Sequence, residues 1–429
     1  MTKSVSRWAA SAGAICLASA AAAPALAQTA PTPTSPAAAA APATTPAAPA
    51  TAPAAAAAAP AAPAAPPAVT LNAPGMNGPL SFPTNPYSVD VGPLGKWYVD
   101  AAVTGLGIVQ SNSVAGDKDG TFDLSNGQVF IQKVDGWWQF YAQVGAYSLP
   151  VLGAPYEPND TSHALNNYFG AVPQAFLKLV PTDNFSIIAG KLPTLIGAES
   201  TFSFENFNIE RGLLWNQEPA VSRGVQGTYT QGPITVNLSL NDGYYSNRYN
   251  WLSGSVAWAI NPTNTATFAA GGNLGHTNTT QFATPQAQNN SSIYNIIYTY
   301  NSAPWTITPY VQLQEVEKNA DAGILKGVTA WSGALLVSYA FDSNWSIAGR
   351  GEFITTNGSN ENDAPNLLYG PGSKAWSFTV TPTYQYNRLF ARGEFSVVSA
   401  AGVTPGYAFG KDGTDKSQFR GLFETGILF

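Results

Sequence analysis

Cysteine, histidine and charge are what this chain has least of. Its one cysteine, Cys16, lies in the first apolar run, so the remainder can form no disulfide and no thiolate metal site. The two histidines, His163 in NDTSHALNN and His276 in GHTNTT, stand in polar stretches without a recognisable nucleophile arrangement. There is no metal-spaced cluster and no glycine-rich phosphate loop. The expectation is therefore no enzyme, no cofactor and no metal. Charged residues make up only 10% of the chain, against ~25% in an ordinary soluble domain. No run of eighteen apolar residues follows residue 27, which leaves no helix to cross a membrane.

What is present begins at the N-terminus. Lys3 and Arg7 precede an apolar run from Trp8 to Ala23, and Ala25-Leu26-Ala27 forms an A-x-A cleavage site. Residues 1–27 are thus expected to be a secretory signal peptide. Without Lys3 and Arg7, the 19 basic residues fall to 17 against 25 acidic ones, a net charge of about −8. That excludes a nucleic-acid binder, which needs a basic patch. Residues 28–78 are nearly all Ala, Pro and Thr and then a short Gly/Pro-rich lead-in. They carry nothing from which to build a core and read as an extended periplasmic tether. At ~3.1 Å per residue, forty such residues reach on the order of 120 Å, enough to bring the tether to peptidoglycan.

Residues 79–429 alternate, most clearly from Lys96 onward. In AWSFTVTPTYQYN, Trp376, Phe378, Val380, Pro382, Tyr384 and Tyr386 oppose Ser377, Thr379, Thr381, Thr383 and Gln385. WTITPYVQLQ and PITVNLSLN behave in the same way, and side chains two apart share a face of a strand. These stretches have the 9–11 residues that a membrane-crossing strand needs, where a soluble strand averages five or six. Trp97, Trp137, Trp138, Trp251, Trp305, Trp345 and Trp376 recur at strand ends, where interfacial girdles lie. Pro309 and Pro382 have no N–H for a ladder and demand bulges or missing bonds.

The connections alternate in length. Short turns at 134–137, 181–184, 230–233, 261–265, 301–304, 341–344 and 386–387 are separated by polar loops at roughly 111–120, 150–168, 193–218, 242–249, 276–290, 317–325, 357–373 and 400–416. Seven short and eight long connections join sixteen strands. The expected fold is all-β: a transmembrane antiparallel barrel with short periplasmic turns and long extracellular loops. The last strand, SQFRGLFETGILF, ends in Phe429 and resembles the C-terminal signal of bacterial outer-membrane proteins.

The motif RGEF occurs twice, at Arg350–Phe353 and Arg392–Phe395. On a strand its Arg and Glu share one face and its Phe takes the other. A charge on the lipid face costs about 2–4 kcal/mol near the bilayer midplane, so Arg350, Glu352, Arg392, Glu394, Arg420 and Glu424 are expected to face the lumen. Sixteen strands leave a lumen too wide for side chains alone to fill. The lead-in is too short for a folded plug, which points to a diffusion channel for small polar solutes. The third long loop carries Glu199, Glu205, Glu210, Arg211 and Glu218 and roots opposite the Arg350 strand. Folded inward, it sets acids against an arginine wall, a constriction with a transverse field. The alternative is that these charges pair with cross-strand neighbours and stiffen the wall. Tyr98, Tyr141, Tyr147 and Tyr310 also face inward and are candidates for a sugar-stacking track.

The runs AGKLPTLIGAE and ENFNIERGLLWNQEPAVSRGVQGTY, within Ala189 to Tyr229, resemble the β-barrel porin-2, OmpL-like family of bacterial outer-membrane porins. That resemblance implies an outer-membrane pore for small solutes, in contact with membrane lipid and lipopolysaccharide. The loop position, though not its residue identities, is similar to the inward-folded third loop of general porins. By the same analogy a homotrimer is expected, with the small outward residues Ala101, Gly105, Gly107, Ala266, Ala270 and Gly272 as candidate contacts. A closed structural or adhesive barrel, or a barrel enzyme, are the rival readings.

Overall fold

The computed structural model describes residues 76–160, 162–279, 285–360 and 363–429. The expected signal peptide, and all but the last three residues of the expected tether, lie outside the described residues. A short strand, β1 (Tyr87–Asp90), precedes sixteen longer ones. These are β2 (Lys96–Gln110), β3 (Gly120–Lys133), β4 (Trp138–Tyr147), β5 (Gln174–Thr182), β6 (Phe185–Pro193), β7 (Val221–Gln231), β8 (Ile234–Asn241) and β9 (Trp251–Asn261). They continue with β10 (Asn264–Asn273), β11 (Ser291–Ser302), β12 (Trp305–Val316), β13 (Val328–Ala340), β14 (Trp345–Thr356), β15 (Lys374–Tyr386), β16 (Leu389–Ala401) and β17 (Ser417–Leu428).

Each long strand pairs antiparallel with the next, and β17 pairs with β2 through the register Arg420–Gln110 to Leu428–Ala102. The ring is therefore a closed barrel of sixteen strands. The β17 ladder runs along β2 only as far as Ala102, so the start of β2 is not paired by β17. β1 lies there instead, pairing Tyr87 with Val99 through to Asp90 with Lys96. The two strand prolines sit where pairing lapses. The β11–β12 ladder skips from Ile297–Tyr310 to Tyr300–Ile307, and the β15–β16 ladder from Val380–Phe395 to Thr383–Arg392. Pro309 and Pro382 fall in those gaps, having no N–H to donate.

Alternation sorts the two faces. Phe122, Phe378, Phe395, Phe419 and Phe423 are exposed on the outside, a belt of apolar surface that only hydrocarbon can solvate. Of the expected girdle, Trp251 is an exception. It is buried and faces inward, edge-on to Tyr244 with ring centroids 5.4 Å apart. Its neighbour Leu252 takes the outward position instead, so the first residue of β9 is out of step with the girdle pattern. Inside, Phe202, Phe204 and Trp215 from the connection between β6 and β7 share one apolar cluster with Phe130 of β3 and Tyr147 of β4.

Leu80 and Phe82 join that same cluster, with Phe82 edge-on to Phe130 at 5.5 Å and to Phe204 at 6.3 Å. The Gly/Pro-rich lead-in is thus packed within the barrel. It escapes pattern reading because its two apolar anchors carry no strand or helix period.

Candidate functional site

Backbone alternation puts Arg350 and Glu352 on the inner face of β14, Arg392 and Glu394 on that of β16, and Arg420 and Glu424 on that of β17. All six are buried. Two contacts lie within the wall. Arg392 Nε donates to Glu424 Oε2 at 3.1 Å across the β16–β17 pair. Arg350 Nε lies 3.2 Å from Glu352 Oε2, an ionic contact without hydrogen-bond alignment.

The other contacts reach the β6–β7 connection. Arg350 Nη1 donates to Glu199 Oε1 and to the Glu210 carbonyl, both at 2.6 Å. Arg420 Nη1 donates to Glu210 Oε1 at 2.6 Å. Arg392 Nη1 donates to the Asn206 carbonyl at 3.0 Å. The wall's carboxylates accept from the connection's backbone: Glu394 from the amides of Ile209 (2.5 Å) and Glu210 (3.0 Å), Glu352 from that of Leu214 (3.1 Å), and Glu424 from Ser203 Oγ. Arginines thus hold the connection's acids and carbonyls, while glutamates hold its amides. Such charge-assisted bonds are roughly twice as strong as neutral ones. Gly212 is required here, since a Cβ at that position would stand 2.1 Å from Glu352 Oε1.

Two predicted residues behave differently. Glu205 forms no ion pair with an arginine among the described residues. Its Oε2 accepts from the Phe202 amide at 3.2 Å, and burial pushes its carboxyl up to about 8. Arg211 is stacked over the Trp215 ring at 5.4 Å and donates to the Pro150 carbonyl at 2.7 Å rather than to a carboxylate. Burial lowers it to about 10. Glu199, although paired with Arg350, is also raised by burial. Arg211 therefore ties the second long loop to the third.

The tyrosines do not form a track. Tyr141 is buried and stacked on Phe176 at 5.5 Å, Tyr147 accepts from the Phe169 amide, and Tyr310 Oη lies 3.5 Å from Glu218 Oε1. All four rings, Tyr98 included, are buried, which leaves no open row of ring faces for a stacking track.

The adjoining wall, from β10 to β13, carries no charge on its inner face. A cavity of about 860 Å³ opens toward the short-turn end, lined by Thr265, Thr267, Thr299, Thr306, Thr308 and Ser338 from β10 to β13. Its roof is Leu195, Gly197 and Ala198, and its floor includes Met76 to Pro79. Sequence reading missed this wall because single hydroxyl residues on alternate positions look like any polar face. The signal that could have found it is their concentration on consecutive strands.

A family model described as "Putative beta-barrel porin-2, OmpL-like" matches residues 98–429. The chain belongs to that family. No curated protein matches it. Among solved structures, in-vitro folded OmpT, an outer membrane protein of Vibrio cholerae, aligns with a TM-score of 0.52 at 11% identity, covering 78% of this chain and 97% of the other. The outer membrane channel DcaP of Acinetobacter baumannii aligns with a TM-score of 0.52 at 10% identity, covering 79% and 99%. A trimer form of the Vibrio protein aligns with a TM-score of 0.50 at 11% identity, covering 78% and 99%. At these identities the likeness is one of fold. Family and fold together make this an outer-membrane β-barrel of the porin class.

Proposed function

We propose that this porin-family barrel is a passive diffusion channel for small hydrophilic solutes, with its constriction built by residues 194–220 set against the arginine wall. The observation that carries the reading is the pair of contacts Arg350–Glu199 and Arg420–Glu210, which join the third loop to strands on the far side of the ring. Glu199, Glu210, Arg350, Glu352, Arg392, Glu394, Arg420 and Glu424 form the electrostatic rim, and Glu205 and Arg211 brace the loop. Solutes pass along the hydroxyl wall, whose threonines offer exchangeable hydrogen bonds without a charge to trap them. Carboxylates outnumber guanidiniums in the buried set, which favours cations over anions. The trimer form of the Vibrio protein supports a homotrimer for this chain, with membrane lipid and lipopolysaccharide around it.

Planar-bilayer recordings and liposome swelling with sugars, amino acids and salts test the reading. Discrete conductance steps with a cation-selective reversal potential are expected. A folded, inserted protein that never conducts would instead support a closed structural barrel. The burial of the whole charge cluster favours that second reading.

A further inference from the structure

The segment Met76–Phe82 contacts the third loop at several independent points. The amides of Asn77 and Gly78 both donate to the Glu205 carbonyl at 2.8 Å. Asn77 Nδ2 donates to Ser200 Oγ at 3.0 Å. Gly78 lies so close to the loop that a Cβ would stand 2.3 Å from the Asn206 carbonyl oxygen. Beyond it, Gln385 of β15 grips Ser81 twice. Its Oε1 accepts from the Ser81 amide at 3.0 Å and its Nε2 donates to the Ser81 carbonyl at 2.8 Å. Leu80 and Phe82 are buried among aromatic residues of the loop and of β3.

Backbone hydrogen bonds, a side-chain amide clamp and two apolar anchors are the means by which a protein binds an extended peptide. Here the peptide is the chain's own. It occupies the lumen on the short-turn side of the loop residues that bond Arg392 and Glu424, and it floors the cavity along the hydroxyl wall.

We propose that the lumen contains an intramolecular peptide-binding site whose ligand is Met76–Phe82, and that this segment is a removable stopper holding the third loop closed. The inference rests on the reading of the barrel as a pore. Its gross attraction is small enough to be reversible. Only two of its apolar side chains, Leu80 and Phe82, are fully buried, and their burial is offset by the cost of ordering the segment.

The test frees the segment without touching a barrel strand. The Leu80→Ser, Phe82→Ser chain removes both apolar anchors, and Gly78→Val drives the backbone off Asn206. Folding is confirmed by heat-modifiable migration in detergent. Both chains are expected to conduct several-fold more than the unmodified protein in planar bilayers and to speed liposome swelling. Asn77→Cys with Ser200→Cys, added to the freed chain in a Cys16→Ser background, then supplies a lock. Oxidation, or a short thiol-bridging reagent, is expected to reverse the gain, and reduction to restore it. Folded variants that conduct like the unmodified protein, with or without the bridge, overturn the stopper. Silence from every chain, including one with residues 195–217 excised, overturns the pore reading and the stopper with it.

Discussion

Two adjoining arcs of the barrel wall are built from the same alternating strands and differ in what their inner faces meet. From β14 to β17 the inner face carries arginine and glutamate, and every one of those groups is buried against loop backbone or a partner charge. From β10 to β13 it is uncharged: Asn295, Gln312 and Gln314 bond the third loop, while Thr265, Thr267, Thr299, Thr306, Thr308 and Ser338 line open space nearer the short turns. Charge alone did not place water beside the charged wall. Guanidiniums and carboxylates of the charged wall and the amides of Asn295, Gln312 and Gln314 all hold the loop, whereas the single hydroxyls of the neutral wall face open space. The charged wall supplies the ionic fastening of the loop, and on the proposed reading the hydroxyl-lined space is the passage.

Removing a fastening charge is the most damaging way to break this contrast. Arg350→Ala leaves Glu199 and Glu352 buried without their cation, which costs about 3–5 kcal/mol. A lowered thermal midpoint and noisy, enlarged conductance steps are expected. Gly212→Val comes next. Its side chain collides with Glu352, an overpacking cost of about 1–3 kcal/mol, and should detach the same stretch of loop with all charges intact. Agreement between these two variants in bilayer recordings would assign the closure to the contact rather than to the charge itself.

A smaller effect comes from pH. Glu205 is held near 8 by burial, above the ordinary carboxylate value of 4.5. Between those values the closed packing binds a proton that the released loop does not, so its stability is greatest below about 4.5 and declines until pH passes about 8. Conductance should therefore rise with pH across that window in the unmodified protein, and Glu205→Gln should flatten the profile. The smallest effect belongs to the neutral wall. Thr308→Val exchanges a hydroxyl for a methyl beside open space and should leave stability within about 0.5 kcal/mol. It should nevertheless slow the swelling rate with sugars. An equal loss of stability in Thr308→Val and Arg350→Ala would erase the distinction between the walls.

Much of the barrel was legible in the sequence, because each strand must answer to two solvents at once and that requirement writes a period of two. The turns VDGW and FDSN fell at their expected positions for the same reason. The cost of placing charge in lipid leads to the expectation that the six wall charges face inward, and all six are buried. What they touch was not legible. Glu205 and Arg211 look no different in sequence from Glu199 and Glu210, yet they bond to backbone instead of to the opposing wall. Partner choice depends on loop conformation, which follows no repeat. The burial of Leu80 and Phe82 was hidden for the same reason.

Strand β1 has one mechanical consequence. The polypeptide runs from Met76 through the barrel interior, then to a ladder on the rim, and only then into the first full staff of the wall. A tug arriving from upstream would meet the interior contacts first and could strip them one at a time. It would then meet four residue pairs aligned to share the load together. The rim ladder is thus a strain relief, sparing the staves behind it while what lies upstream is pulled.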